Sequence, residues 1–111
     1  MMKQCEIWQT DLNPVNGSEQ KGIRPVVIIS GNLLNQYLPV VIVCPLTSRI
    51  KGYKGNLILE PEKQNGLSQR SEVMVFHIRP ISKERLIRKI GTISETELEK
   101  IKAGLGDILR Y

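Results

Sequence analysis

Histidine occurs once in this chain, at His77, and cysteine twice, at Cys5 and Cys44. So few soft ligands leave no zinc site of the usual kind. Both cysteines sit inside apolar, strand-like runs, where two buried thiols are expected rather than a disulfide or a metal pair. The single histidine has no Gly-x-Ser-x-Gly elbow to work with, so nothing recommends a Ser/His/Asp or Cys/His hydrolase. No pair of carboxylates or histidines has metal-ligand spacing, and neither a metal nor a cofactor is expected. The longest apolar run falls far short of the ~20 residues needed to span a bilayer. Lys3, Glu6 and Gln9 interrupt any apolar signal-peptide core. A cytoplasmic protein without a membrane partner is expected.

What is present suits one domain, 1–111, long enough for a single core without staples. Hydrophobic residues at 41% and charged residues at 24% argue against wholesale disorder. The net charge of +5 is compatible with a polyanionic partner but does not require one.

The chain is organised around Gly17–Ser30. Its first half is polar and glycine-punctuated, and its second half is a β-branched run with the signature of a buried strand. Arg24-Pro25 is the junction. Proline biases Arg24 to an extended backbone and, at a strand's first residue, loses no ladder hydrogen bond. A permanent cation is thereby fixed at the rim of a sheet, beside a loop carrying Glu19 and Gln20. Gly17 and Gly22 have the glycine spacing of a phosphate loop, but Ile23-Arg24 follows where lysine and a hydroxyl are needed, and a strand follows where a helix is needed. Nucleotide cradling therefore fails.

Elsewhere the pattern predicts strands at Cys5–Thr10, with Ile7 and Trp8 on opposite faces, and at Pro39–Leu46, ending or bulging at Pro45 and lying beside the Pro25–Ser30 strand. Further strands are expected at Asn56–Glu60 and Glu72–Ile78. Gly31–Leu38 reads as a loop or one helical turn, and Pro61–Arg70 as polar and turn-rich. Arg79–Lys89 is strongly basic and reads as solvated surface, with protein docking as its functional alternative. The last helix is the clearest element: Ser94 and Glu97 form a capping box, Ile93 and Leu98 a staple, and Leu98, Ile101, Leu105 and Ile108 an apolar stripe. Gly104 and Gly106 each weaken that helix, for which close packing is a reason. The expected fold is α+β: a strongly curved antiparallel sheet, barrel-like, with a C-terminal helix packed on it.

Arg24 at one strand's start, Thr47 and Ser48 at another's end, and Glu19 and Gln20 between them match metal-free phosphodiester cleavage in RNA. There the 2′-hydroxyl attacks its own phosphate, and the protein supplies proton transfer and charge stabilisation. A guanidinium makes planar, bidentate contacts to phosphate oxygens. Arg49, Lys51, Tyr53 and Lys54 add charge and a stacking ring of the kind single-strand binding uses.

Gly17-Ser-Glu-Gln-x-Gly-x-Arg-Pro-Val-Val, the strand ending Pro45-Leu-Thr-Ser48, Lys51-Gly-Tyr53 and Ile78-Arg-x-Ile81 together resemble the MazF/PemK family of toxin endoribonucleases over nearly the whole chain. The resemblance implies a CcdB/PemK-like small SH3-like barrel, a homodimer, and cofactor-free, metal-independent cleavage of single-stranded RNA at short sequences, messenger RNA included. Products with a 2′,3′-cyclic phosphate and a 5′-hydroxyl, and inhibition by a cognate antitoxin protein, are also implied. It places catalysis on Arg24, Thr47 and Glu19, and substrate binding on Ser18, Gln20, Ser48, Lys51, Tyr53, Lys54 and His77. An acid that some members carry before the Ile-Arg-x-Ile segment is missing from Val75-Phe76-His77-Ile78. Either Arg24 and Thr47 act with Glu19 assisting, which is preferred, or His77 takes part of that role, since histidine changes charge near neutral pH. Two rivals are a gyrase-poison relative of the same fold and a non-catalytic RNA-binding barrel. The first uses a tryptophan near the C-terminus, and this chain ends Ile108-Leu-Arg-Tyr111 without one. The second leaves the Glu19–Arg24 arrangement without a purpose.

Overall fold

The structure, a computed structural model, describes residues 2–12 and 22–111, so the expectations for Ser18, Glu19 and Gln20 lie outside the described residues. Its elements are β1 (Glu6–Asp11), β2 (Ile23–Ile28), α1 (Asn32–Tyr37), β3 (Val40–Thr47), β4 (Leu57–Leu59), β5 (Ser71–Val73), β6 (Arg79–Ser82), β7 (Leu86–Thr92) and α2 (Glu95–Arg110). All strand pairs are antiparallel, in the order β4-β5-β3-β2-β1-β7, with β6 also on β3.

Alternation along the strands sorts the core into two clusters. Ile7, Val27, Cys44, Leu46, Leu59, Val73 and Val75 join Leu98 and Ile101 of α2 on one face. Val26, Ile28, Val41 and Val43 point the other way and meet Leu12, Ile81 and Leu86, with Trp8 packed against them. Each such side chain contributes about 1.5–3 kcal/mol when fully buried. β6 lies on β3 and β7 lies on β1, and the two are joined only by a 3₁₀ turn at Lys83–Arg85. The sheet is therefore curled back on itself, and the second cluster fills the hollow. The expected curved antiparallel sheet with a C-terminal helix is what the chain forms. Ile7 and Trp8 take opposite faces as expected.

Several local expectations need correction. Cys5 precedes β1 in a turn at φ 78° and is only half-buried, while Cys44 is fully buried; both thiols are free. Pro25 is the third residue of β2, not the first, and stands opposite Gln9. It is tolerated because the β2–β3 ladder begins only at Val26, which leaves Pro25 on an edge. Pro45 ends neither β3 nor its pairing on the far side: the strand continues to Thr47 along β5. The strand expected over Glu72–Ile78 stops at Val73. Val75–His77 is a 3₁₀ turn, inserted because the three steps along β3 from Val43 to Leu46 are matched by six along its neighbour from Arg79 to Val73. The basic Arg79–Lys89 stretch is largely β6 and β7, with Ile81 and Leu86 buried in the hollow and Arg88 and Lys89 outside.

At the C-terminus, Ser94 Oγ accepts from the Glu97 amide at 3.1 Å and Glu97 Oε1 from the Ser94 amide at 2.8 Å, completing the capping box. Ile93 and Leu98 are both buried in the first cluster. The apolar stripe holds for Leu98, Ile101 and Leu105, but Ile108 is exposed. No helix among the described residues is long and apolar enough to cross a membrane.

Candidate functional site

The two prolines mark a fork. β2 and β3 pair only at Val26–Pro45, Val27–Cys44 and Ile28–Val43. Before Val26, Pro25 lacks the N–H that would continue the ladder toward Leu46, and Pro45 turns its carbonyl the other way, to the Met74 amide at 2.8 Å. A cavity of about 420 Å³ opens there, lined by Ile23, Arg24 and Pro25 of β2, Leu46 and Ser48 from β3 and its exit, Gln9 of β1, and Leu67 to Gln69 with Ser71. The structure thus brings Arg24 and Ser48 to one pocket. Arg24 is half-buried and paired across β1 with Thr10 in the strand register.

Thr47 sits at the strand end next to this fork, and the β2–β3 register extended by two residues would set it opposite Arg24. Its side chain is 6% exposed, and its Oγ1 accepts from the Arg49 amide at 3.1 Å. That bond occupies a lone pair and leaves the hydroxyl proton for donation elsewhere.

Thr47 is opposite Glu72 in the β3–β5 ladder. Glu72 is completely buried, and its carboxylate organises the following loop. Oε1 accepts from the amides of Lys51 at 2.7 Å and Gly52 at 3.1 Å. Oε2 accepts from the Tyr53 amide at 3.0 Å and Asn56 Nδ2 at 2.9 Å. Burial pushes the carboxyl up, but the bonds from Asn56, Lys51, Gly52 and Tyr53 outweigh it and hold the group below its ordinary range. Asn56 in turn accepts from the Val75 amide at 3.0 Å. The Lys51–Tyr53 loop and the 3₁₀ turn are therefore tied to one buried anion beside Thr47.

Lys51, Tyr53 and Lys54 all carry exposed side chains. His77 is half-buried, and its Nδ1 is enclosed without a hydrogen-bond partner among the described residues. The ring stands edge-on to Phe76 at 4.5 Å between centroids. His77 lies with the 3₁₀ turn rather than among the residues lining the Arg24 pocket.

Comparison with known proteins decides the family. The family described as "PemK-like, MazF-like toxin of type II toxin-antitoxin system" matches residues 3–109. This chain belongs to that family. A MazF-family relative, the "Endoribonuclease MazF" of Staphylococcus saprophyticus, is 39% identical over 102 residues, covering 91% of this chain and 85% of the relative. The crystal structure of MazF from Deinococcus radiodurans superposes with a TM-score of 0.85 at 25% identity, covering 99% of this chain and 97% of that one. A mycobacterial endoribonuclease solved with its cognate antitoxin shares the fold, with a TM-score of 0.81 at 20% identity over 98% of this chain and 95% of that one. The family resemblance drawn from the motifs is borne out.

Two parts of this region escaped the sequence. Gln9 lines the pocket with an enclosed Oε1 that has no partner among the described residues, and nothing in its local sequence sets it apart. Glu72 had a signal, a lone acid in an otherwise apolar stretch, which by burial statistics calls for a dedicated set of donors.

Proposed function

We propose that this chain is an endoribonuclease toxin that cleaves single-stranded RNA in a sequence-specific way, without a metal. The 2′-hydroxyl attacks the adjacent phosphorus, the 5′-oxygen leaves with a proton, and the products carry a 2′,3′-cyclic phosphate and a 5′-hydroxyl. The observation that carries this reading is the fork, where Arg24 and Ser48 line one pocket beside Thr47. Arg24 neutralises the charge that builds on the phosphoryl oxygens, in a half-buried setting where such a contact gains strength. The Thr47 hydroxyl donates to a phosphoryl oxygen while its lone pair stays engaged with Arg49. Glu19 assists proton transfer, and Ser18, Gln20, Ser48, Lys51, Tyr53, Lys54 and His77 bind the strand. Because the nucleophile belongs to the substrate, the chemistry asks only for proton transfer and charge stabilisation.

The biological setting that goes with this reading is a single-domain, cytoplasmic homodimer that acts on single-stranded RNA, messenger RNA included, and is held inactive by a cognate antitoxin protein. Family membership and the antitoxin complexes of relatives support it. The deciding assay incubates the purified protein with a long single-stranded RNA in excess EDTA, beside Arg24→Ala. Wild type should cut, leaving cyclic phosphate ends, and the variant should lose at least a hundredfold in rate, the scale of removing one transition-state donor. Intact RNA across several sequences would sink the proposal, and cleavage that needs added metal would overturn its mechanism.

A further inference from the structure

Two rings near the Lys51–Lys54 loop are left half in solvent. Tyr53 is 47% exposed and Phe76 45%. They meet edge-to-face, with centroids 5.6 Å apart and planes at 67°. Behind Phe76, the His77 ring closes the row at 4.5 Å and 78°.

An isolated exposed aromatic is ordinary, but this pair is held in place from below. The Tyr53 amide is bound by Glu72, and Asn56 bridges Glu72 to the Val75 amide directly before Phe76. Val75 is fully buried, so the 3₁₀ turn that sinks its side chain turns Phe76 outward. Rigid rings with few torsions lose little entropy on binding, which suits a recognition ledge. The exposed side chains of Arg49, Lys51 and Lys54 lie on the same loop, while Glu72, which holds that loop from beneath, is buried with both carboxylate oxygens engaged. An aromatic pair next to a loop that carries exposed cations fits a polyanion that carries flat rings.

We propose that Tyr53 and Phe76 form a stacking subsite for an unpaired nucleobase of the RNA strand, outside the Arg24 pocket. The inference rests on the endoribonuclease reading and names the part of the substrate that this ledge holds. Stacking is indifferent to base identity and adds affinity without adding charge.

The test compares two uncleavable oligomers of equal length and phosphate number, a 2′-O-methyl oligoribonucleotide of mixed sequence and its fully abasic counterpart. Binding is read by fluorescence anisotropy over a salt series for wild type, Phe76→Ala, Phe76→Tyr, Tyr53→Ala and Lys54→Ala. Wild type should prefer the base-bearing oligomer. Phe76→Ala should weaken that oligomer by roughly five- to a hundredfold, leave the abasic one unchanged and keep the salt slope, and Phe76→Tyr should restore binding. Lys54→Ala should weaken both oligomers and lower the salt slope by about 0.7. Phe76→Ala and Tyr53→Ala binding like wild type would overturn the ledge alone and leave the patch to a protein contact. A wild-type chain that binds neither oligomer would overturn the ledge and the nuclease reading together.

Discussion

At Glu72 a buried acid has four donors aimed at it and no acceptor, an arrangement only a carboxylate satisfies. In Glu72→Gln the amide nitrogen would face N–H groups, stranding at least one buried donor at a cost of roughly 1–3 kcal/mol. The folded carboxyl is held below its ordinary value, so its contribution is fully present above the unfolded value of about 4.3 and disappears as pH falls through the folded one. Urea titrations of wild type and Glu72→Gln should therefore differ at pH 7 and converge as the pH is taken well below 4. A constant gap across that range would mean that the charge on Glu72 does not hold the loop. Cys44 illustrates the opposite case: burial pushes its thiol up to about 12, with no bonds to offset it, so it packs as a small hydrophobe.

At the scale of elements, the two glycines of α2 look alike in sequence and differ in surroundings. A Cβ on Gly104 would lie 2.1 Å from the Gly55 carbonyl oxygen, whereas one on Gly106 would have nothing within 4 Å. Gly104→Ala must push the β4 approach off the helix and should destabilise by roughly 1–3 kcal/mol. Gly106→Ala should stabilise by up to about 1 kcal/mol through helix propensity. Denaturant midpoints of the two variants check this, and equal shifts in one direction would refute it. The pair also shows what the sequence could carry. A cap, a staple and a stripe are local, and α2 was legible from them except at Ile108, which the stripe placed inward and the structure leaves exposed. Alternation revealed the β-branched runs of β2 and β3, and the Arg24-Pro25 junction drew attention to the right sheet end. What escaped depends on pairing: the 3₁₀ turn at Val75–His77 takes up slack between β5 and β6. β6 and β7 were hidden by the charges on their outer faces. The fork lies where the pairing of β2 with β3 stops, at Val26–Pro45, and how far two distant strands pair is something no local pattern announces.

For the whole molecule, the two core clusters are opposite faces of the same strands. Val27 and Cys44 belong to one, and Val26, Ile28 and Val43 to the other. Neither cluster can lose its strands while the other keeps them, so we infer one cooperative unit. Nature has placed separate reporters on the two sides. The only tryptophan, Trp8, packs against the hollow and donates from Nε1 to Glu6 Oε1 at 3.0 Å. The helix α2 lies on the other side, where Leu98 and Ile101 enter the first cluster. Thermal unfolding followed by Trp8 fluorescence and by far-ultraviolet circular dichroism should give coincident transitions, with a heat-capacity increment of about 1.3–1.7 kcal/mol/K for a chain of this length. A helix signal that melts well before the fluorescence would divide the chain into two stability units. The fork would then rest on the curled sheet alone, because β2 and β3 also line the hollow and α2 touches only their other face.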